Sequence, residues 1–364
     1  MTIHDLDTPA ILIDLDVMER NLARMADYAR THQLRLRPHT KTHKIPALGA
    51  RQLAHGAVGL TVAKTGEAEV MIHSGTPDLL IAYPTIGARK LARVAALARS
   101  VRVTMSLDSA EAARALSEAA AAAHVEIGVL AEIDVGLNRV GVTIGPELTT
   151  LLQTIASLPA LRLEGLAFYP GQVKKLDAEG EAEITAIRNR LAQALALTKE
   201  SGFECPIVSA GSTPTWSHSH GISGVTEIRP GTYIFNDRNT VLSGACDWSD
   251  CAASILTTVV STARPGQVII DGGSKTFSSD RLANSSEVTF GKLLEDDAAR
   301  FHKMNEEHGF VDTSQCSRAF RVGDRARLIP NHICVAMNLH EQVYGVRGER
   351  VEEIWRVEAR GKLS

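Results

Sequence analysis

The sequence lacks the features that mark membrane, secreted and nucleic-acid-binding proteins. It contains no apolar run near the roughly 18 residues of a membrane span. A net charge of −3 provides no basic surface for nucleic acid or an anionic membrane. The acidic amino terminus has no basic-then-apolar signal pattern. The five cysteines are scattered and form no CxxC motif, so we expect free thiols in a reducing cytoplasm.

The remaining composition is that of a globular protein with two domains. Hydrophobic residues make up 44% of the chain and charged residues 22%, which is typical of a protein folded in water. A length of 364 residues exceeds what one ordinary core organises. We therefore expect two domains.

The first two thirds of the sequence repeat one strand-and-helix unit. Short apolar or β-branched runs alternate with helical patterns rich in Ala, Leu, Arg and Glu. This alternation favours a parallel sheet, and eight strands in this length favour a closed (β/α)8, TIM-like barrel. The predicted strands are 34–38, 57–62, 78–83, 101–106, 126–134, 161–169, 205–209 and 225–229.

The last third has a different pattern, with several strand-like runs and few helical ones. We predict a barrel domain at 14–242 and a mainly β domain at 243–364. Residues 1–13 are expected to join the β domain, because the run "AILIDL" reads as a strand. The fold class is therefore α/β, with a carboxy-terminal mainly β domain.

The segment "LRLRPHTKTHK", residues 34–44, concentrates positive charge. Read as a strand, it has one basic face, because strand side chains alternate. That face carries Arg35, Arg37, His39, Lys41 and His43. If it points into the barrel, each unpaired charge costs several kcal/mol, so an anion should offset it. A phosphorylated cofactor or a substrate carboxylate would do so, and so would acidic residues of neighbouring strands.

Lys41 is the candidate nucleophile of this segment. It lies near the carboxyl end of its strand, which is the catalytic end of barrel enzymes. Neighbouring cations should make the lysine lose its proton more easily, which suits a Schiff-base nucleophile.

Two glycine-containing loops are candidates for phosphate binding. "SAGSTPT" follows the seventh predicted strand and "RPGTYIF" follows the eighth. Barrels often bind phosphate at these two loops through backbone N–H groups and hydroxyls. Ordinary turns explain each motif equally well when it is taken alone.

Two further motifs carry candidate ligands. Asn138 and Arg139 follow the fifth predicted strand, where a tight turn with a surface arginine is the alternative. His332 and Cys334 are two apart, so on a strand they would share a face and could hold zinc. A metal ion with only two protein ligands leaves positions for water and substrate, which is the arrangement of an open, catalytic metal site. A buried histidine beside an unrelated cysteine is the alternative.

Seven motifs together resemble one enzyme family, the D-threonine aldolase and D-serine dehydratase group. These are fold-type III pyridoxal phosphate enzymes, related to alanine racemase through the barrel. The resemblance covers the chain from Asp7 to about Arg360. The motifs, in order, are "DTPAILIDLD", "RPHTKTHK", "DVGLNRVGV", "SAGSTPT", "PGTYIF", "NEEHG" and "PNHICVAMNLH".

The resemblance implies roles for individual residues. Lys41 carries pyridoxal phosphate as a Schiff base, with His39 among the surrounding cations. Arg139 lies near the cofactor's phenolic oxygen, and Tyr169 lies near its pyridine ring. The implied metal ligands are His332 and Cys334, for zinc, manganese or magnesium. The implied phosphate-binding residues are Gly211, Ser212, Thr213, Gly231, Thr232 and Tyr233. A homodimer is also implied.

The motifs leave two reactions open. The pair HxC is typical of the dehydratases, whereas the metal motif of well-studied aldolases resembles HxD. Those aldolases also have a histidine shortly after the tyrosine, where this chain has Lys175. However, "NLHE" and the ending "VEEIWRVEARGKLS" are more similar to the aldolases.

We therefore expect a D-threonine aldolase-like lyase that cleaves D-3-hydroxy amino acids to glycine and an aldehyde. The alternative is a D-serine or D-3-hydroxyaspartate dehydratase-like lyase that gives a 2-oxo acid and ammonia. Two further rivals are a metal-free racemase and a non-catalytic pyridoxal phosphate-binding protein of the barrel-only type. The β domain and its HxC motif argue against the non-catalytic protein.

Overall fold

The computed structural model describes residues 1–283 and 285–364, which group into two compact units. The barrel unit comprises Met25–Lys41, Pro46–Gly231 and Gly361–Ser364. The sheet unit comprises Met1–Arg24, Thr42–Ile45 and Thr232–Arg360.

The described residues form ten α-helices and seventeen strands, numbered in chain order. The helices are α1 Leu15–Thr31, α2 Pro46–Ala54, α3 Thr65–Met71, α4 Ala88–Leu97, α5 Ala110–Ala122, α6 Pro146–Ser157, α7 Ala178–Glu200, α8 Arg238–Leu242, α9 Ser274–Phe277 and α10 Ile333–Leu339. The strands are β1 Ala10–Asp14, β2 Arg35–Leu36, β3 Leu60–Val62, β4 Asp78–Ile81, β5 Arg102–Leu107, β6 Ile127–Glu132, β7 Leu161–Ala167, β8 Ile207–Ala210, β9 Glu227–Ile228, β10 Ala253–Arg264, β11 Gln267–Ile270, β12 Gly291–Leu293, β13 Arg300–Met304, β14 Gly309–Asp312, β15 Arg325–Pro330, β16 Gln342–Arg347 and β17 Arg350–Arg356.

The barrel unit contains all eight predicted strands as one parallel sheet, in the order β2-β9-β8-β7-β6-β5-β4-β3. Beyond the end of β2, a parallel bridge pairs His39 with Thr61 of β3, and the Thr61 N–H donates to Pro38 O at 2.8 Å. The predicted (β/α)8 fold is therefore confirmed. The carboxyl ends of the strands share one rim, so residues that follow neighbouring strands lie close together there.

The crossover helices follow from their apolar spacing. In α7, the buried residues recur every three or four positions, which places them on one helix face. These residues are Ile184, Ile187, Leu191, Ala194 and Thr198. Asp177 begins the helix, because its side chain accepts the Gly180 N–H.

The basic segment is a strand only at Arg35–Leu36. After Pro38, which has no N–H to donate, the chain turns into a 3-10 helix at Thr40–Thr42. The prediction that Lys41 and His43 share a strand face with Arg37 is therefore wrong. Lys41 instead lies just beyond the strand, with an exposed side chain.

The buried charge of Arg37 is offset by protein carboxylates. Its Nε donates to Glu227 Oε2 at 3.0 Å, and its Nη1 pairs with Asp78 Oδ1 at 2.8 Å. Ion pairing with neighbouring strands, one of the two predicted alternatives, is therefore correct for this residue. The half-buried Arg35 donates to Pro206 O at 3.4 Å.

The sheet unit is built on a mainly antiparallel nine-stranded sheet. Its main path runs β13-β14-β11-β10-β1-β16-β17, with β15 paired to β10 and β12. Strand β1 lies antiparallel to β10 and parallel to β16. Thr42–Ile45 joins this unit through two hydrogen bonds between Lys44 and Ala359, which include the Ala359 N–H to Lys44 O at 3.0 Å.

None of the helices in the described part of the chain has the length and apolar character that crossing a bilayer requires.

Candidate active site

Lys41 lies at the rim of the barrel, among residues that follow other strands. Its Nζ is 5.9 Å from the centroid of the Tyr169 ring. The Arg139 guanidinium lies 4.9 Å from the same centroid. The Lys41 N–H donates to His39 Nδ1 at 3.3 Å, so the imidazole supports the local backbone. The structure therefore places two of the predicted cofactor residues, Lys41 and Arg139, near a third, Tyr169.

The loop that carries Arg139 is shaped by Asp134. The Asp134 carboxylate accepts the Gly136 N–H at 2.9 Å and the Asn138 N–H at 3.1 Å. Asn138 itself adopts a positive φ of 56°, which asparagine tolerates better than most residues. The predicted alternative of a tight turn is thus correct for the backbone, and this turn orients Arg139 toward Tyr169.

The first phosphate-loop candidate begins with a glycine in the left-handed region. Gly211 has a φ of +91°, and a Cβ built there would lie 3.4 Å from Ile228 Cβ. The Ser212 and Thr215 hydroxyls hydrogen-bond at 3.0 Å, and Ser212 and Thr213 are both buried. The positive φ of Gly211 is a conformation that glycine adopts without strain, and loops of this kind can turn backbone N–H groups toward an anion.

The second candidate loop passes from one unit to the other. Gly231 is the last residue of this segment in the barrel unit, whereas Thr232 and Tyr233 belong to the sheet unit. Thr232–Ile234 forms a short 3-10 helix, and Tyr233 is buried.

Arg229, which sequence reasoning missed, is a buried cation of the barrel unit. Its Nη2 donates to Phe168 O at 3.0 Å, but its buried Nη1 has no hydrogen-bond partner among the described residues. Burial lowers the pKa of this guanidinium, partly offset by Glu132. Arg229 is the first residue of the motif "RPGTYIF". A charged residue at the end of a predicted buried strand, next to a predicted phosphate loop, was the signal that could have identified it.

Glu132 ends β6 and is also buried. Burial raises the pKa of its carboxyl, while a hydrogen bond from Ser106 Oγ at 2.7 Å opposes that rise. A carboxyl and an unsatisfied guanidinium thus provide fixed polar groups inside the barrel unit.

His332 and Cys334 do not lie on a strand, so that prediction is wrong. Strand β15 ends at Pro330, and His332 is the extended residue that begins α10. Ile333 and Cys334 are both buried, although they are consecutive. A half-exposed strand would have exposed one of them, whereas burial at successive and i, i+3 positions is a helical pattern.

A carboxylate that sequence reasoning missed fixes His332 within the sheet unit. His332 Nδ1 hydrogen-bonds Asp237 Oδ2 at 3.1 Å, and the Ile333 N–H donates to the same oxygen at 3.1 Å. Asp237 Oδ1 accepts the Thr240 N–H at 2.9 Å, which caps α8. With Nδ1 engaged, the Nε2 atom is the one left to bind a ligand.

The Cys334 thiol lies among hydroxyls and next to His332. Thr42 Oγ1 is 3.2 Å from its Sγ, and Thr232 Oγ1 is 3.6 Å away. The charge of Cys334 is the main cause that holds the pKa of His332 well above 6.5, and Asp237 adds to the effect. Among the described residues, no group of three or more His, Cys, Asp or Glu side chains is arranged to hold a metal ion.

Lys175, which replaces the histidine of the aldolases, is exposed. Its Nζ pairs with Asp177 Oδ2 at 3.2 Å.

Two family models match this chain. The model for the alanine racemase N-terminal domain matches residues 13–239, which is more than half of the chain. The chain belongs to this family. A serine dehydratase domain model matches residues 252–346. Together with full-length relatives at 33% and 34% identity, these matches assign the chain to the group of D-threonine aldolases and D-serine dehydratases. Like its relatives in this group, it is a pyridoxal phosphate-dependent lyase.

Similarity to individual members of the family extends over the whole chain. The D-threonine aldolase of Arthrobacter sp. is 33% identical over 98% of this chain and 93% of its own. The D-threo-3-hydroxyaspartate dehydratase of Delftia sp. is 34% identical over 92% of each chain. The crystal structure of D-threonine aldolase from Filomicrobium marinum superposes with a TM-score of 0.92, at 33% identity, and covers 99% of this chain and 98% of that one.

Proposed function

We propose that this lyase cleaves D-3-hydroxy amino acids to glycine and an aldehyde, with pyridoxal phosphate and a divalent metal ion. The observation that carries the proposal is the match to a D-threonine aldolase structure, with a TM-score of 0.92 over 99% of the chain. The match includes the segments that contain Lys41, His332 and Cys334.

The barrel unit has the groups that pyridoxal phosphate requires. Lys41 provides an exposed amine, and Gly211 provides close backbone approach for the phosphate. The orphaned Nη1 of Arg229 is a buried donor that a polar ligand atom would satisfy. The further proposed phosphate-binding residues are Ser212, Thr213, Gly231, Thr232 and Tyr233. When bound, the cofactor withdraws electrons from the Cα atom of an attached amino acid.

The sheet unit has donors suited to a divalent ion. His332 and Cys334 offer imidazole and thiolate, which are zinc ligands, and manganese or magnesium would bind them less tightly. Asp237 bonded to His332 Nδ1 is the usual support of a metal-binding histidine. When bound, such an ion lowers the pKa of a hydroxyl group.

The chain's own residues would act as follows. Lys41 supplies the amine that anchors the cofactor and, once free, an acid that would return a proton to Cα after the Cα–Cβ bond has broken. Arg139 supplies positive charge for the cofactor oxygen and the substrate carboxylate, and His39 holds the backbone of Lys41 through its Nδ1. Tyr169 provides an aromatic surface for the pyridine ring, with Arg139 fixed 4.9 Å from its centroid.

Dehydration to a 2-oxo acid and ammonia is a second candidate function, because two observations favour it. Cys334 occupies the position at which the metal motif of the aldolases resembles HxD, with aspartate in place of cysteine. Lys175 occupies the position at which the aldolases have a histidine. Lys175 pairs with Asp177, so this position has no histidine that could accept the β-hydroxyl proton. If Lys41 instead removes the Cα proton, the β-hydroxyl group leaves.

Product analysis distinguishes the two functions. The holoenzyme is incubated with D-threonine, and glycine, acetaldehyde and 2-oxobutanoate are each quantified, with Lys41→Ala as the blank. We expect glycine and acetaldehyde in equal amounts. If 2-oxobutanoate accumulates without glycine, the aldolase proposal is wrong and the dehydratase proposal replaces it.

We also propose a homodimer that works in a reducing cytoplasm. The dimer is supported by the family resemblance, and the compartment by five cysteines that are all free thiols in the described residues. Light scattering of the active holoenzyme should give twice the mass of one chain. Full activity of a monomer at micromolar concentration would contradict the dimer.

A further inference from the structure

Two of the free cysteines flank one tight turn that contains none of the residues assigned to cofactor or metal. Cys246 and Cys251 enclose the sequence Asp247–Asp250 in the loop between α8 and β10. Both side chains are half-buried, so small solutes can reach them. In the sequence this CxxxxC spacing is not a recognised motif, because it brings two thiols together only if the four residues between them form a turn.

The turn folds back on itself through three hydrogen bonds. The Asp250 N–H donates to Asp247 O at 3.0 Å, and the Asp247 N–H donates to Asp250 Oδ2 at 3.0 Å. The Cys251 N–H donates to Trp248 O at 3.1 Å. Trp248–Asp250 is therefore a single turn of 3-10 helix, and the two cysteines lie at its two ends.

The folded turn is also fastened to the rest of the sheet unit. The Asp250 carbonyl accepts Asn21 Nδ2 at 2.8 Å and Asn236 Nδ2 at 3.1 Å. Arg24 Nη1 donates to Asp250 Oδ2 at 3.0 Å. This anchoring holds the ends of the turn in place, so the approach of the two cysteines does not depend on a chance loop conformation.

The hydrogen bonds that close the turn bring Cys246 and Cys251 together at its two ends. Hydrogen bonding with Cys246 is the main cause that raises the pKa of Cys251, and burial adds to it. Cys251 therefore holds its proton more tightly than an ordinary cysteine does.

We propose that Cys246 and Cys251 form a dithiol modification site that low-molecular-weight disulfides, such as oxidised glutathione, convert to an intrachain disulfide. In the first exchange, the Cys246 thiolate attacks one sulfur of the small disulfide, which releases one thiolate. In the second, Cys251 loses its proton and attacks the Cys246 sulfur, which releases the second thiolate. Two protein thiols are oxidised and one small disulfide is reduced to two thiols, so no other oxidant is needed.

One tryptic peptide reports the reaction. Cleavage after Arg238 and Lys275 gives a peptide whose two cysteines are Cys246 and Cys251, because trypsin does not cut between Arg264 and Pro265. The reduced holoenzyme is incubated with oxidised glutathione, blocked with N-ethylmaleimide, digested without reductant and analysed by mass spectrometry. We expect the oxidised peptide to carry no maleimide label and to be lighter than the unlabelled reduced peptide by two hydrogen atoms. Reduction with dithiothreitol before blocking should restore both labels. Cys205 and Cys316, which are also half-buried, should form no disulfide with each other and serve as internal controls.

Variants test the order of the two exchanges. Cys251→Ser should trap glutathione on Cys246, whereas Cys246→Ser should leave Cys251 without an adduct. Separate glutathione adducts on both cysteines of the wild-type peptide would overturn the proposal, and so would maleimide labels retained on both. The wild-type experiment decides the matter even if a variant fails to fold, and it does not depend on which reaction the enzyme catalyses.

Discussion

At the scale of single residues, Lys41 is the side chain on which cofactor attachment depends. Its exposed ammonium lies near Tyr169, in a rim that also contains Arg139. Lys41→Ala should therefore abolish the yellow colour of the purified enzyme and its turnover. Borohydride reduction followed by peptide mapping should label Lys41 in the wild type. Lys64→Arg is the matched control, because Lys64 lies over the Tyr83 ring at 3.3 Å, and a label on Lys64 would contradict the assignment.

The second residue-scale prediction concerns Cys334. A thiolate is a softer ligand than a carboxylate, so it should retain zinc more tightly than manganese. Cys334→Ala should lose the metal and turnover, and Cys334→Asp should shift the metal preference toward manganese. Metal content after dialysis and turnover with each ion measure the effect. Cys316→Ser is the control and should keep the wild-type metal content, whereas an unchanged preference in Cys334→Asp would count against the site.

The residues recognised in advance were those that stand in continuous motifs. Asp237 and Arg229 were missed, because their importance comes from partners distant in sequence. Asp237 meets His332 across 95 positions, and Arg229 meets the Phe168 carbonyl across 61. Arg37 shows the same limit, since one of its two carboxylate partners, Glu227, is 190 positions away.

At the scale of elements, all eight barrel strands could be predicted, because each is a short apolar run between helical patterns. Their ends were less predictable. The segment 34–44 alternates like a strand, yet Pro38 ends the regular ladder. The run after Pro330 is rich in β-branched and apolar residues, yet it buries a helical face. Local composition favoured a strand there, and tertiary burial decided otherwise.

The loop after β8 yields an element-scale prediction about glycine. Gly211 and Gly56 have nearly the same positive φ, +91° and +92°, but Gly56 has nothing within 4 Å of a built Cβ. Valine at either site should cost roughly 1–2 kcal/mol of folding stability. Only Gly211→Val should weaken pyridoxal phosphate binding, by about tenfold or more, since a hydrogen bond to a charged group contributes about 1.5–3 kcal/mol. Equal cofactor affinity in both variants, measured by fluorescence titration, would contradict the phosphate loop.

The segment after that loop yields a prediction about pH. His220 stacks on His32 with ring centroids 3.8 Å apart, and its Nδ1 bonds Tyr28 Oη at 2.9 Å. Burial lowers the pKa of His220 below 6.5, and the charges of His32 and His218 lower it further. The folded state thus binds fewer protons than the unfolded state, so stability is lost as the pH falls through 6.5 and below.

His220→Phe should remove this part of the acid sensitivity. The melting temperature of the wild type should fall more steeply than that of the variant between about pH 7.5 and about pH 5.5. Parallel curves for the two proteins would show that the stacked pair does not contribute.

At the scale of the whole molecule, chain order and structural grouping differ. The amino-terminal strand β1 lies within the carboxy-terminal sheet, and Thr42–Ile45 leaves the barrel unit for the sheet unit. Two of the points at which the chain passes from the barrel unit to the sheet unit therefore lie directly after Lys41 and directly after Gly231. Sequence patterns predict such crossings poorly, because they record local periodicity and not which distant segments pack together. The domain boundaries 14–242 and 243–364 remain a prediction.

The central claim is that one enzyme needs both a cofactor on Lys41 and a divalent ion on His332 and Cys334. Exhaustive chelation of the holoenzyme, with absorbance and D-threonine turnover followed in the same sample, tests it most directly. Turnover should disappear while the yellow colour remains, because lysine attachment does not need the metal, and added zinc should restore activity. Turnover that survives complete removal of metal would contradict both lyase mechanisms and favour a metal-free racemase.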